Sequence, residues 1–170
     1  MNKFEKLGLS EELLKSINEL GFEKPTPIQE NIIPVILEGY DVIGQAQTGT
    51  GKTAAFGLPI LQKIDVTRYQ PQALILCPTR ELCLQIADDL NDYSKYIDNL
   101  KVLPVYGGSS IESQIKTLKR GVHVVVATPG RLLDLMNRKT VDLSTVKNVI
   151  LDEADEMLNM GFREDIETIL

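Results

Sequence analysis

The chain has 170 residues, 43% of them hydrophobic and 25% charged, with a formal net charge of −6. That length suits one domain or little more, and the apolar share is enough for a real core. The acidic balance argues against bulk electrostatic attraction to nucleic acid, so any such partner must be held by a local patch or by backbone amides.

The N-terminal stretch "MNKFEKLGLSEELL" carries charges where a secretory signal needs an unbroken apolar run. No run of about 18 apolar residues follows, and a soluble, cytoplasmic protein without a membrane partner is the expectation. Ser10 before Glu11 and Glu12 marks a first helix start, and Gly21 marks a stop. Thr26-Pro27-Ile28-Gln29 has the form of a capping box with proline at the first helical position, and Gly39 closes that helix. "DVIGQA" (41–46) reads as a strand, "QTGTG" (47–51) as a turn and "KTAAFGLPILQKI" (52–64) as a helix. "IDVTRYQPQ" (64–72) is a surface connection.

Four more strand-like runs follow: "ALILC" (73–77), "KVLPVY" (101–106), "VHVVVA" (122–127) and "NVILD" (148–152), each preceding a helix candidate. Thr128-Pro129 repeats the Thr-Pro helix start. Apolar runs separated by helical crossovers predict an α/β fold, a mostly parallel sheet with helices on both faces. Cys77 and Cys83 form neither a metal-ligand set nor a Cys-x-x-Cys motif, so both are expected to be reduced, buried, small apolar residues. His123, the single histidine, lies in a strand and is expected to be structural; Phe162 and Arg163 are expected to pack and cap a helix.

The strand, turn and helix over 41–64 provide what a phosphate-binding loop needs. Ala46, Gln47, Thr48, Gly49, Thr50 and Gly51 would curl backbone N–H groups around the β-phosphate, and the helix N-terminus adds its positive dipole end. Lys52 would reach the terminal phosphates, and the Thr53 hydroxyl would ligate Mg²⁺. Ala46 stands where the usual pattern has glycine, but that position mainly begins the turn, where a methyl fits. The plain alternative is a glycine-rich turn beside a surface lysine.

A nucleotidase needs a second carboxylate site, and the strand 148–152 delivers Asp152-Glu153 at its C-terminal end, the edge where open parallel sheets bind ligands. Asp152 would hold the Mg²⁺ shell, partly through water. Glu153 would orient and deprotonate an attacking water, which favours hydrolysis over transfer to a substrate hydroxyl. An acidic cluster at a solvated helix start is the alternative.

Asp152-Glu153-Ala154-Asp155, following Ala46-Gln47-Thr48-Gly49-Thr50-Gly51-Lys52-Thr53, resembles a DEAD-box ATP-dependent RNA helicase. The resemblance covers nearly the whole chain and implies a RecA-like P-loop NTPase domain. "GFEKPTPIQ" (21–29), with Phe22 inside it, is similar to the family's adenine-recognising Q motif, and Phe4 stands in the place of its isolated upstream aromatic. "PTREL" (78–82, with Pro78, Thr79 and Arg80), Gly107-Gly108 and "TPGR" (Thr128, Pro129, Gly130 and Arg131) match, in order, the segments that grip RNA in the family's first RecA-like domain.

The physics of these residues agrees with the assignments. The Gln29 carboxamide offers the donor and acceptor that pairing with adenine requires, although a capping-box role is open to it as well. Phe4 could stack on the base or simply dock the N-terminal segment. Thr79-Arg80 and Thr128–Arg131 each follow a strand and open a helix, so amides, hydroxyls and a guanidinium can converge on RNA phosphates without reading sequence. The preference for RNA is implied by the resemblance.

The resemblance also implies what is missing. Residues 1–170 are expected to be the helicase ATP-binding domain, incomplete at its C-terminus, without the family's Ser-Ala-Thr segment or the second RecA-like domain that completes the ATP and RNA sites. Such a fragment is expected to lack turnover, and to fill the resulting gap in its sheet by strand exchange between copies or by closing up, or else to be poorly stable. A P-loop DNA translocase or kinase, and a non-catalytic docking module, are the alternatives from other classes.

Overall fold

The structure, a computed structural model, describes residues 3–39 and 51–170. It contains two compact units, Met1–Asp65 with Asp89–Asn99, and Val66–Asp88 with Leu100–Leu170. The predicted strand 41–46 and the loop residues Ala46, Gln47, Thr48, Gly49 and Thr50 lie outside the described residues.

The described part of the first unit is helical. A short 3₁₀ turn (Lys3–Leu7) leads to α1 (Glu11–Glu19), α2 (Pro27–Leu37) and α3 (Lys52–Gln62), joined by the last turns of α4 (Arg80–Tyr93). The Ser10 hydroxyl accepts from the Leu13 amide at 3.4 Å, as its position predicts. Leu13, Ser16 and Ile17 form one buried stripe on α1, and the Ser16 hydroxyl on that stripe donates to the Tyr93 carbonyl at 2.6 Å. In α3 every residue from Ala54 to Leu61 is buried. Gly57 is required there: a Cβ would stand 2.7 Å from Leu90 Cδ2. Gln62 ties the start of the chain to α3, donating to Gly8 O at 2.8 Å and accepting from Ser10 N at 2.7 Å.

The second unit holds the sheet. Strands β1 (Ala73–Leu76), β2 (Val102–Val105), β3 (Val124–Ala127) and β4 (Asn148–Leu151) are all parallel, in the order β2-β3-β1-β4. The two inner strands are buried at every position, whereas β2 and β4 alternate, which is why the inner runs read as continuous apolar stretches. Pro104 has no N–H to donate and lies in β2, which among the described residues pairs only with β3.

Helices α5 (Ile111–Arg120), α6 (Pro129–Asn137), α7 (Ala154–Asn159) and α8 (Arg163–Ile169) complete the unit. One sheet face, with Leu74, Leu76, Leu103, Val105, Val125 and Ala127, forms a core with Leu132, Leu135, Met157 and Ile166. Burying such side chains contributes roughly 1.5 to 3 kcal/mol each. On the other face the Cys83 thiol of α4 donates to Val126 O at 3.0 Å. Both cysteines are buried and free. Among the described residues β4 pairs only with β1, and Val149 and Leu151 are exposed.

The connection over 64–72 lies on the surface, with Gln72 its one buried residue, and His123 anchors it. His123 is fully buried; its Nδ1 accepts from Lys101 N at 3.0 Å and its Nε2 faces Val66 O at 3.1 Å. Both ring nitrogens are occupied in one neutral tautomer, which makes the histidine structural. Tyr69 lies on the His123 ring, 4.9 Å between centroids. Phe162 packs on the core, but Arg163 pairs along its own helix with Glu167 at 3.1 Å rather than capping it. An arginine offers only donors, whereas the free amides of a helix's first turn need acceptors.

Candidate functional site

In the first unit the Thr26 capping box forms as the sequence predicts: Thr26 N donates to Gln29 Oε1 at 2.9 Å and Gln29 N to Thr26 Oγ1 at 3.4 Å. The remaining arm of Gln29 reaches further, its Nε2 donating to Gly51 O at 3.1 Å. Gln29 is 2% exposed, so both ends of its carboxamide are committed within the fold. Each retains capacity for one more bond, since the amide has two hydrogens and two lone pairs. Gly51 is the N-cap of α3 with φ +83, and a Cβ there would lie 2.4 Å from Gln29 Nε2. Only glycine satisfies both the left-handed backbone and the close approach. Lys52 and Thr53 follow, half-buried, in the first turn of α3.

Phe4 is 1% exposed, its ring 5.9 Å from that of Phe22, which in turn meets Tyr93 edge-on at 6.1 Å. This packing supports the docking role for Phe4: its ring presents no open face on which a base could stack.

In the second unit Asp152 continues the sheet, donating its amide to Leu76 O at 2.8 Å, and is buried. Glu153 follows at φ 56, ψ 47, left-handed, as the N-cap of α7. That conformation costs a non-glycine residue roughly 1 to 2 kcal/mol, and strain of this kind concentrates at functional positions. The sheet edge thus carries one buried carboxylate and one half-buried carboxylate turned by a strained backbone.

The three predicted strand-end segments also lie in this unit. Thr79 caps α4, its hydroxyl accepting from Leu82 N at 3.2 Å, beside buried Pro78 and exposed Arg80. Gly107 and Gly108 are exposed in the turn after β2, and Arg80 approaches Gly108 so closely that a Cβ would meet its Nη1 at 3.4 Å. Thr128 is the N-cap of α6 with Pro129 in its first turn; its hydroxyl makes no cap bond. Gly130 is exposed, and Arg131 donates through Nη1 to Ser109 O at 3.2 Å and to Gln114 Oε1 at 3.0 Å. Both arginines therefore converge on the Tyr106–Ser110 turn.

The helicase family model described as DEAD/DEAH box helicase matches residues 26–170. The chain belongs to the DEAD/DEAH box helicase family. It is 58% identical over 170 residues to an ATP-dependent RNA helicase, CshA, of Listeria monocytogenes, covering all of this chain and 32% of that protein. It is 55% identical to CshA of Geobacillus kaustophilus, named a DEAD-box ATP-dependent RNA helicase, covering 36% of it. The crystal structure of a DEAD box protein from the hyperthermophile Methanococcus jannaschii superposes with a TM-score of 0.93 at 49% identity, covering 98% of this chain and 45% of that one. The fold is thus the RecA-like domain of a DEAD-box protein. The chain spans about a third of the length of the CshA relatives it matches.

Three residues of this family member escaped the sequence reading: Tyr106, Ser109 and Gln114, all partners of the arginines. Gln114 left a signal, because it lies among Ile111, Ile115 and Leu118 on the packed stripe of α5, where an apolar residue is expected. Among the described residues no helix is long and apolar enough to cross a membrane, and no cluster of three metal-ligating side chains occurs.

Proposed function

We propose that residues 1–170 are the ATP-binding domain of an ATP-dependent RNA helicase, whose RNA-stimulated ATP hydrolysis opens short duplexes or remodels RNA–protein complexes. A second RecA-like domain of the same protein would complete it. The observation that carries the reading is the bond from Gln29 Nε2 to Gly51 O. It joins a base-reading carboxamide to the glycine that opens the phosphate-loop helix, an arrangement suited to selecting adenine where phosphate is held.

Lys52 would neutralise the terminal phosphates, and the backbone amides of the 46–53 motif are the groups that would hold the β-phosphate. The Thr53 hydroxyl and the Asp152 carboxylate are hard oxygen donors of the kind Mg²⁺ takes, directly or through water, and the bound ion would offset phosphate charge. Glu153 orients the attacking water and takes its proton. Pro78, Thr79 and Arg80, Gly107 and Gly108, and Thr128, Pro129, Gly130 and Arg131 hold RNA backbone without reading bases.

The test is hydrolysis by the full-length protein with ATP or GTP, and with RNA or DNA. Turnover stimulated by RNA and selective for ATP is expected. Equal stimulation by DNA, or indifference between ATP and GTP, points to a translocase or kinase of the P-loop class instead. Binding of RNA without hydrolysis under any condition points to a docking module.

A further inference from the structure

Gln114 is a polar side chain, 5% exposed, on the packed stripe of α5. An amide there costs free energy unless every polar atom is used, and all of them are. Its Nε2 donates to Tyr106 O at 3.2 Å and to Ser109 Oγ at 2.9 Å, and its Oε1 accepts from Arg131 Nη1 at 3.0 Å. The residue whose carbonyl it holds, Tyr106, lies with its ring 5.1 Å from the Arg80 guanidinium. One buried side chain therefore reaches Arg131 directly and Arg80 through Tyr106.

The geometry points to Gln114 as the positioning residue that presents Arg80 and Arg131 together at the Tyr106–Ser110 turn, ready for successive phosphates of one RNA strand. This rests on the RNA-backbone reading of that turn. The chemistry requires an amide: a carboxylate lacks the two donors, a lysine or arginine lacks the acceptor, and an aliphatic residue lacks both. An arginine already held loses less side-chain freedom when it meets a phosphate, so the benefit appears as RNA affinity. Without Gln114, Arg131 keeps only its bond to Ser109 O among those described.

The experiment is a double-mutant cycle in the full-length protein, reading affinity for a labelled single-stranded RNA, with thermal unfolding recorded alongside. Gln114→Leu should weaken RNA binding about tenfold, the loss of a hydrogen bond to a charged group. Its effect should shrink at least threefold when Arg131 is already Ala, because the two act as a unit. Gln114→Glu keeps an acceptor for Arg131 and should recover part of the loss; it carries the cycle if the Leu variant does not fold. Equal losses in both backgrounds would show a merely structural role and overturn the inference. So would unchanged affinity in Gln114→Leu beside a weakened Arg131→Ala. If Arg80→Ala and Arg131→Ala both bind RNA normally, the RNA reading of the turn falls first and this inference with it.

Discussion

Gln29 Nε2 and the Gly51 carbonyl stand 3.1 Å apart, and the same carboxamide accepts from the Thr26 amide at 2.9 Å. A base that pairs with Gln29 must therefore share or displace bonds that hold the starts of α2 and α3. Gln29→Ala should narrow the preference for ATP over GTP and also lower stability by about 0.5 to 1.5 kcal/mol, since a satisfied amide is removed. Competition binding with the two nucleotides and urea unfolding check the two halves. An undiminished ATP preference with lowered stability would leave Gln29 as a capping residue alone.

Gly51→Ala tests the other end of that bond. The left-handed backbone at φ +83 and a Cβ 2.4 Å from Gln29 Nε2 should together cost at least about 1 to 2 kcal/mol and weaken ATP binding. Titration with a fluorescent ATP analogue reads the affinity; wild-type affinity and stability together would contradict the assigned geometry.

Glu153 combines a strained backbone with the chemistry of a base. Glu153→Gln should keep ATP binding and abolish turnover, because the amide preserves volume but takes no proton. Glu153→Gly should abolish turnover as well, yet raise unfolding stability by up to about 1 kcal/mol by relieving the left-handed conformation. A Gln variant that hydrolyses ATP near the wild-type rate would remove Glu153 from the role.

Lys52 occupies the first turn of α3. Lys52→Ala should weaken ATP binding by roughly ten- to a hundredfold, the range expected for losing a charge-assisted bond to phosphate. Adenosine, which has no phosphates, should bind both forms alike. Equal ATP affinity in the two would mean that the loop does not cradle phosphate.

Tyr93 gives the first unit an alkaline limit. Burial, and then the nearby Asp89 and Asp92, push its phenol well above the ordinary range. The folded chain then holds a proton that the unfolded chain releases near pH 10, so this contribution is complete below about pH 10 and falls as pH rises beyond it. Tyr93→Phe keeps the ring against Phe22 and should flatten the decline. Urea unfolding from pH 8.5 to 10.5 measures it, and identical slopes would sink the assignment.

Much of this protein was legible in local sequence because the signals were local. The capping box at Thr26 and Gln29, the proline at the start of α6 and the apolar runs of β1 and β3 are decided by backbone sterics, capping and burial within a few residues. The motif residues that put the chain in the helicase family are likewise contiguous, and needed only reading in order. Which bonds those residues make was not legible, because it depends on atoms brought from distant positions. Gln29 meets Gly51 from 22 residues away, Arg131 meets Ser109 from 22 and Gln114 from 17, and His123 meets Val66 from 57. The left-handed turn at Glu153 has no signature either, since its residue type gives no preference for that region. Phe4 shows the same limit: sequence left it between a base and the interior, and only its burial beside the Phe22 ring, which in turn meets Tyr93, shows where its apolar surface is removed from water.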